Sequence, residues 1–492
     1  MISLLGSTFA QAMDLGAFLR RPKLVVVIVI DQFRADYLTR YEAKFLPAGS
    51  SAEPGGFRYL LEKGAYFPFA EYDVLQNMTC PGHAMILTGT RPATNGITLN
   101  DWYDRKEKKI AYCVADAQYG LSPRKLLTTT VGDELKNVNV ESKTVAVALK
   151  DRAAILLGGR NANGVAWFDN KKKEWVSSGY YEKSGTTWLN KFNESMAPTI
   201  KALTVKELMR STAAATMTVD AALAAATAFS LGANEAPDLL AVSFSSHDYL
   251  GHQVGPNSPF MLDMTLVEDK EISRLIGALG KKVGGMDNLV VALTADHGVA
   301  PLIEVSKAAK IDAGGFEYAS LNAKLNGALS KAFGTPKSKN WIAAGHSLHI
   351  YFDEGSLREK KVSARKAEVV AKAVLLKEPG VLGVLTKSEF LDGSYRNGPL
   401  ATEVSRSYLP EIGGDLVILP RPYFIELDGY PGNHNTNWAY DRMVPLVITG
   451  MKVKPGVYSG AKVIDLAPTL SFLLGTLPPA TNEGRVLSEI FK

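Results

Sequence analysis

The chain has 492 residues, of which 46% are hydrophobic and 21% charged, and its formal net charge at pH 7 is +5. This balance is typical of a globular protein and excludes a disordered or fibrous chain. The length predicts one large α/β unit with insertions, or two to three domains. The mild charge, with no concentrated basic stripe, does not indicate nucleic acid as a specific partner. No apolar run reaches the roughly 18 residues that span a bilayer, so we expect no membrane span.

The N-terminal segment is interpreted separately. Residues 2–10 are apolar and small, and Ala10–Ala12 has the small-x-small form of a signal-peptidase site, although a positive n-region is missing. We therefore interpret residues 1–22 as a signal remnant or a tail. The two cysteines, Cys80 and Cys113, permit one disulfide in an exported protein and equally two free thiols in a cytoplasmic one.

Three β-branched, apolar runs have the length of strands and no polar alternation, as in strands buried on both faces. Helical patterns at 217–231 and at about 259–279 alternate with them. This order predicts an α/β fold, a three-layer sandwich whose mostly parallel central sheet is flanked by helices. A further strand-like run precedes a C-terminal helix between Asp465 and Gly475. The four strand-like runs are Leu24–Ile30, Leu239–Phe244, Leu289–Leu293 and Val444–Ile448.

Two segments interrupt this alternation, and we expect both to be insertions that form a cap. Residues 153–205 contain a hairpin pattern over solvent, and residues 305–430 mix short strands with a basic amphipathic helix near 363–376. The predicted domains are a core of 23–304 and 431–492, with an insertion at about 153–205, and a cap of 305–430.

Carboxylates and imidazoles follow the predicted strands. In open α/β sheets, ligands bind at the carboxyl ends of the strands. Aspartate and neutral histidine are good zinc ligands, and this set could hold two ions. A lone aspartate after a strand is most often a helix cap, but six such residues at one sheet edge indicate a metal site. They are Asp31, Asp248, His252, Asp296, His297 and His434.

Some of these assignments depend on local geometry. Asp248 and His252 are four residues apart, which suits either one helical turn or a tight loop. His346 and His349 lie in one strand-like run and would point to opposite faces, so we give them no ligand role. We expect His83 to support the loop around the preceding threonine, and His247 to face away from its neighbour.

Four motifs resemble, in order, the metal and nucleophile motifs of the alkaline phosphatase superfamily. A closing segment, Ile464–Leu470, is similar to that family's C-terminal helix. The matches run from about residue 23 to 488 and leave out only parts of the predicted cap. The chain resembles the threonine-nucleophile bacterial alkaline phosphatases, a branch similar to the type I phosphodiesterases and nucleotide pyrophosphatases. The four motifs are Val29–Arg34, Thr79–His83, Asp248–Pro256 and Thr294–Gly298.

The resemblance implies that Thr79 is the nucleophile. Sulfatases of the superfamily place a cysteine or serine there, in Cys-x-Pro-x-Arg, so Thr79 and His83 argue against a sulfatase. Cys80 then occupies a variable position, as a small buried residue or in a disulfide with Cys113. Threonine is a weak nucleophile near neutral pH unless a metal holds it as an alkoxide.

The resemblance also implies two Zn²⁺ ions that stabilise the entering and leaving oxygens of an in-line phosphoryl displacement. The second ion would activate the water that hydrolyses a phosphothreonine. Manganese or calcium could enter a site rich in carboxylates, although three histidines favour zinc. The implied ligands are Asp31, Asp296, His297 and Thr79 for one ion, and Asp248, His252 and His434 for the other.

Asn100, Lys150 and Arg152 match residues that bind the phosphoryl oxygens in that branch. A phosphate monoester is a dianion, and two cations with a planar guanidinium fit its charge. Taken alone, Lys150 and Arg152 would also suit a solvated strand end.

We therefore expect metal-dependent hydrolysis of small-molecule phosphate monoesters through a phosphothreonine. A phosphodiesterase or nucleotide pyrophosphatase is the alternative, and a non-catalytic metal- or phosphate-binding protein of the cell envelope is a third reading. We expect a periplasmic or secreted protein that is a monomer or weak oligomer.

Overall fold

The computed structural model describes residues 20–181 and 186–491. Residues 1–19 of the predicted signal remnant or tail lie outside the described residues. No helix in the described ranges is long and apolar enough to cross a membrane.

The strands are numbered in chain order: β1 Leu24–Ile30, β2 Gly64–Glu71, β3 Asp101–Asp104, β4 Lys109–Tyr112, β5 Ala115–Asp116, β6 Gly120–Leu121, β7 Thr144–Ala148, β8 Gly164–Asp169, β9 Glu174–Val176, β10 Asp238–Phe244, β11 Leu289–Thr294, β12 Gly314–Phe316, β13 Ile342–His346, β14 His349–Phe352, β15 Val381–Thr386, β16 Leu416–Pro420, β17 Phe424–Glu426, β18 Met443–Gly450 and β19 Gly456–Val457. The α-helices span Tyr37–Arg40, Phe57–Lys63, Thr79–Thr88, Pro92–Asn95, Val131–Val138, Asp151–Gly158, Thr187–Ala202, Val205–Met209, Thr212–Ala228, Ser246–Val254, Pro259–Lys282, Ile303–Ala308, Tyr318–Phe333, Glu354–Glu359, Ala364–Leu375, Lys387–Asp392, Ala401–Ser407, Ala439–Arg442 and Leu466–Leu474.

A nine-stranded sheet in the order β19-β2-β18-β11-β1-β10-β7-β8-β9 forms the centre of the protein. The strands β11, β1, β10, β7 and β8 run parallel to one another. Every residue of β1 and β10 is buried, because their valine, leucine and isoleucine side chains pack on both faces of the sheet. The predicted α/β fold with a mostly parallel sheet is confirmed.

Strand β18 runs antiparallel to its two neighbours, β11 and β2. Its beginning therefore lies at the edge of the sheet where the parallel strands end. This direction matters for the loop before β18, because it brings that loop to the carboxyl ends of β1, β10 and β11.

The long helices differ from their predicted bounds for a local reason. The helix predicted at 217–231 begins at Thr212, because the Ser211 side chain accepts a hydrogen bond from Ala214 N and caps it. The helix predicted at about 259–279 continues to Lys282. The first helix ends at Ala228, before the predicted Leu231. Side-chain caps at Ser211 and Ser258 begin the two helices.

The segment predicted as an insertion at 153–205 joins the central sheet. Its hairpin is present, because β8 and β9 pair antiparallel. However, β8 also pairs parallel with β7 and is buried along residues 164–168, so it extends the sheet and does not lie in a cap over solvent. The apolar run of β8 thus has the pattern of a buried parallel strand.

Residues 305–430 contain a second, four-stranded sheet in the order β13-β14-β16-β15. It has a hydrophobic cluster of its own, which includes Leu325, Ile350 and Ile418. The helix Ala364–Leu375 occupies the position of the predicted amphipathic helix.

Hydrogen bonds attach this second sheet to the segment that precedes Thr79. The Gln76 Nε2 atom lies 2.7 Å from His349 Nε2, and Leu75 N donates to Ser407 Oγ at 2.7 Å. The second sheet is therefore fixed directly beside the predicted nucleophile.

Candidate active site

Three parallel strands and one antiparallel strand deliver the six predicted ligands to one sheet edge. Asp31 follows β1 directly, and Asp296 with His297 follows β11. The helix Ser246–Val254 follows β10, and its turn places Asp248 and His252 on the same face, so the helical alternative is the observed one. The remaining ligand, His434, lies in the loop before β18.

The ligand atoms form two overlapping groups in which all atoms lie within 4.8 Å of one another. One group, Asp31 with Asp296 and His297, is the set that the resemblance implied for one ion. The other joins Asp248 and His434 to His297, so His297 takes part in both groups. His252 lies next to this second group, since its Nε2 atom is 3.2 Å from Asp248 Oδ1.

The three histidines are oriented by their backbone partners. Each Nδ1 atom lies at hydrogen-bond distance from a carbonyl oxygen, so Nδ1 carries the proton and donates it. The lone pair of Nε2 is therefore free to bind a metal ion. Two buried atoms, His297 Nε2 and Asp31 Oδ1, have no hydrogen-bond partner in the described ranges. This donor set fits a divalent cation. The Nδ1–O distances are 2.8 Å for His252 to Gly432, 2.9 Å for His297 to Gly298 and 2.7 Å for His434 to Asn77.

Charge crowding perturbs the groups at this edge. Burial and the nearby carboxylates of Asp248 and Asp296 raise the pKa of Asp31 well above its usual value. Burial acts in the same direction on Asp248, but His252 and Lys150 outweigh it and lower the pKa of that carboxyl. Positive charge at this edge is therefore needed to keep all three aspartates ionised.

Lys150 supplies part of that charge. Its Nζ atom lies 2.6 Å from Asp31 Oδ2, 2.5 Å from Asp248 Oδ2 and 3.3 Å from Thr79 Oγ1. Burial alone would lower the pKa of Lys150, but these two carboxylates raise it. Lys150 is 3% exposed, so the solvated strand end is excluded for this residue.

Thr79 is the first residue of the helix Thr79–Thr88 and is almost fully buried. The first turn of a helix has free backbone N–H groups and a partial positive charge, which suit an anion. The His83 Nδ1 atom lies 2.9 Å from Thr79 O and 3.1 Å from Asp296 Oδ2. His83 thus joins the helix to a predicted ligand, whereas His247 pairs with Glu268 at 2.9 Å.

A disulfide connects the helix Thr79–Thr88 to the hairpin β3–β4. Cys80 and Cys113 are bonded, which decides between the two alternatives for the cysteines. On the same hairpin, Asn100 Oδ1 accepts a hydrogen bond from Cys80 N at 2.8 Å. This bond directs the Asn100 amide nitrogen away from the helix backbone.

The same hairpin holds Arg152 through Tyr112, a residue that no sequence pattern indicated. The Tyr112 hydroxyl donates to Asp151 Oδ1 at 2.5 Å and accepts from Arg152 Nη1 at 3.3 Å. Tyr112 therefore positions the guanidinium at the start of the helix Asp151–Gly158.

A cavity of about 420 Å³ is lined by two of the predicted ligands, His252 and His434, and by Met78, which precedes Thr79. Asn100 and Arg152 line it, whereas Lys150 does not, so the structure separates the predicted lysine–arginine pair. Part of the wall comes from distant segments, including Tyr318, His346 and Glu426.

The assignment of His346 and His349 to one strand is wrong. They lie opposite each other in the hairpin β13–β14, and the two residues between them both have positive φ, so the chain turns there. His346 pairs with Asp101 and lines the cavity, whereas His349 is buried against the Gln76 amide.

The sequence profile of the type I phosphodiesterase / nucleotide pyrophosphatase family matches residues 25–424. The chain belongs to this family. Alkaline phosphatase PafA of Elizabethkingia meningoseptica is 32% identical over 96% of this chain and 94% of its own length. Alkaline phosphatase PhoV of Synechococcus elongatus is 31% identical over 96% and 93%. The crystal structure of wild-type PafA matches with a TM-score of 0.89 at 30% identity, over 96% of this chain and all of the other, which confirms the resemblance to the alkaline phosphatase superfamily.

Gly82 allows the helix Thr79–Thr88 to pack directly on Asp296. A Cβ at Gly82 would lie 2.3 Å from Asp296 O. We expect Gly82→Ala to destabilise the protein by about 1–3 kcal/mol, because backbone has to move. Gly327→Ala is the control, since a Cβ there meets nothing within 4 Å, and it should not lower the thermal unfolding midpoint. Equal midpoints for the two variants would contradict this account.

The disulfide closes a loop between cysteines 33 residues apart. We expect the double variant Cys80→Ala, Cys113→Ala to lose about 3–4 kcal/mol of stability, because its unfolded chain is less constrained. Thermal unfolding with and without reductant checks this: reductant should lower the midpoint of the wild type and leave that of the variant unchanged. If thiol titration shows that the reductant has freed both cysteines and the unfolding midpoint of the wild type is still unchanged, this prediction is contradicted.

Proposed function

We propose that this protein is a metal-dependent phosphomonoesterase that releases inorganic phosphate from small-molecule phosphate monoesters. The observation that carries the proposal is the convergence of a buried threonine with two groups of cation ligands at one sheet edge. The relatives PafA and PhoV, both named alkaline phosphatases, support it. Hydrolysis of p-nitrophenyl phosphate by the purified protein, with elemental analysis, is the direct test.

A crystallised variant of PafA supports the assignment of roles. It carries substitutions at one threonine, one asparagine, one lysine and one arginine. The four residues that we propose to act on phosphate here, Thr79, Asn100, Lys150 and Arg152, are of the same four types.

We propose two Zn²⁺ ions as the cofactor. When bound, they supply Lewis-acid stabilisation of oxygen atoms that gain negative charge. His297 belongs to both ligand groups, so it is adjacent to both proposed metal sites. The proposed ligands are Asp31, Asp296, His297 and Thr79 for one ion, and Asp248, His252 and His434 for the other.

The side chains of the site attack the phosphorus, stabilise negative charge and bind the phosphoryl oxygens. Thr79 Oγ1 loses its proton and forms a bond to phosphorus as the bond to the leaving oxygen breaks, and the leaving oxygen takes up a proton. Water then attacks the same phosphorus, the bond between phosphorus and Thr79 Oγ1 breaks, and a proton from the water restores the hydroxyl. The ammonium of Lys150, 3.3 Å from Oγ1, stabilises negative charge on this oxygen. Arg152 and Asn100 line the cavity and donate to the other phosphoryl oxygens.

The charge of the site favours a monoester over a diester, because a monoester carries one more negative charge. Arg152 contributes to this preference from the cavity wall, and Lys150 contributes from its position 3.3 Å from Thr79 Oγ1. The second candidate is a phosphodiesterase or nucleotide pyrophosphatase, which the name of the matched family favours.

We also propose that residues 305–430 act as a cap over a core of 23–304 and 431–492. Support comes from Tyr318, His346 and Glu426, which lie in the proposed cap and line the cavity. A disulfide is typical of an oxidising compartment, so we propose a periplasmic or secreted location.

Thr79→Ala should lower turnover of p-nitrophenyl phosphate by about 10³-fold or more, because the attacking oxygen is lost. Elemental analysis should find metal retained, since the carboxylate and imidazole ligands remain. Thr79→Ser keeps a hydroxyl and is the matched control, with activity well above that of the alanine variant. Turnover in Thr79→Ala equal to the wild type would exclude Thr79 as the nucleophile.

The double variant Lys150→Ala, Arg152→Ala should lose about tenfold or more in the ratio of monoester to diester hydrolysis, because two positive charges are removed. The measurement is kcat/KM on p-nitrophenyl phosphate and bis-p-nitrophenyl phosphate. Equal losses on both would mean that the pair has a structural role only. A wild type that prefers the diester would favour the second candidate.

A further inference from the structure

Part of the cavity wall is not used by the proposed phosphate and metal ligands. We call it the acceptor wall and define it by the lining residues Asp101, His346, Glu426, Asp428 and Asn435. We propose that the acceptor wall is a leaving-group subsite that selects phosphate esters of amino alcohols, whose ammonium group it binds. The inference rests on the phosphomonoesterase function proposed above and names its substrate class.

The acceptor wall carries an excess of negative charge. It contains three carboxylates, and its one imidazole, that of His346, already pairs with Asp101. The only lysine or arginine among the residues that line the cavity in the described ranges is Arg152, which we assign to the phosphate. Glu426 and Asp428 are thus left without a counter-charge of their own in the cavity.

Glu426 is held by neutral groups. Its Oε1 atom accepts a hydrogen bond from Ser347 N at 3.2 Å, and its Oε2 atom accepts one from Asn435 Nδ2 at 3.5 Å. It is 7% exposed. Burial raises the pKa of Glu426, and Asp428 adds to the effect, whereas His346 opposes it. A bound cation would stabilise this carboxylate, because a buried charge is costly without a partner.

Asn435 provides an independent observation that points to a donor ligand. It is 2% exposed, and its Oδ1 atom has no hydrogen-bond partner among residues 20–181 and 186–491. Its Nδ2 atom is used by Glu426, so the unpaired atom is an acceptor. Its φ of 88° is in the left-handed region, which asparagine tolerates better than most residues. A buried acceptor in a cavity wall requires a donor from a ligand or from water.

These features together select one chemical group. An ammonium has three N–H donors and one positive charge, so it can donate a hydrogen bond to Asn435 Oδ1 and also balance the charge of Glu426. A hydroxyl can donate the hydrogen bond but carries no charge. A carboxylate can do neither, and the excess negative charge would repel it.

Three esters of matched size test the proposal: O-phosphoethanolamine, 2-hydroxyethyl phosphate and phosphoglycolate end in an ammonium, a hydroxyl and a carboxylate. We expect wild-type kcat/KM to fall in that order, with a ratio of about tenfold or more between the first and the last. Glu426→Gln should reduce this ratio by about fivefold or more, because the shape of the side chain is kept and its charge is lost.

Glu411→Gln is the matched control, since Glu411 is an exposed carboxylate of the same region that does not line the cavity. It should keep the wild-type ratio. Asp428→Asn is a second variant, for which we expect a smaller reduction of this ratio. It replaces Glu426→Gln in the test if thermal unfolding shows that Glu426→Gln is not folded.

The outcomes separate the two proposals. A wild type that hydrolyses 2-hydroxyethyl phosphate but treats the ammonium and carboxylate esters within twofold of each other would overturn the subsite and leave the proposed function intact. The same ratio in the wild type and in the charge-removed variants would also overturn it. No hydrolysis of any of the three esters would instead contradict the proposed function.

Discussion

The mutual repulsion of buried carboxylates is the constraint on which the rest of this site depends. Asp31, Asp248 and Asp296 converge because the parallel strands that precede them end at the same edge. In a buried environment such a convergence is unfavourable unless positive charge is placed among the carboxylates. Lys150 partly meets this requirement through its ion pairs with Asp31 and Asp248, and the two ligand groups of the described residues suit divalent cations that would supply further positive charge.

The helix Thr79–Thr88 is the structural link between the parts of the site. His83 connects it to Asp296, and the disulfide at Cys80 connects it to the hairpin that bears Asn100. The segment before it is bonded to the second sheet through Gln76. The proposed nucleophile, Thr79, is thus held from three sides by groups that belong to different parts of the chain, as a precisely positioned reacting atom requires.

The central sheet and the candidate ligands could be predicted from the sequence, because both leave local signals. Apolar runs without alternation marked β1, β10 and β11, and aspartates and histidines follow those runs directly. The resemblance then supplied the proposed roles of Thr79, Asn100 and Arg152, which no periodicity indicates. The contact between Lys150 and the aspartates had no local signal, since it depends on side-chain directions at the ends of three strands.

What the sequence did not indicate is mostly a matter of long-range packing. The turn between His346 and His349 depends on two non-glycine residues with positive φ, a conformation with no reliable composition signal. The placement of β8 in the central sheet depends on its pairing with β7. The cavity wall joins Asn100 to Glu426 and Asn435, which lie hundreds of positions away, so only the folded chain brings them together.

The position of β18 between β2 and β11 has a consequence for biosynthesis. Thr449 Oγ1 bonds to Lys63 O across 386 positions, and the helix Leu466–Leu474 packs on the helix that begins at Thr79. A nascent chain lacks an inner strand of its main sheet, and the loop that carries His434, until β18 has been synthesised, long after β1 and β2. Assembly of the site therefore depends on long-range pairing, which slows folding, and a chain in which β18 has not yet paired exposes open edges of β2 and β11.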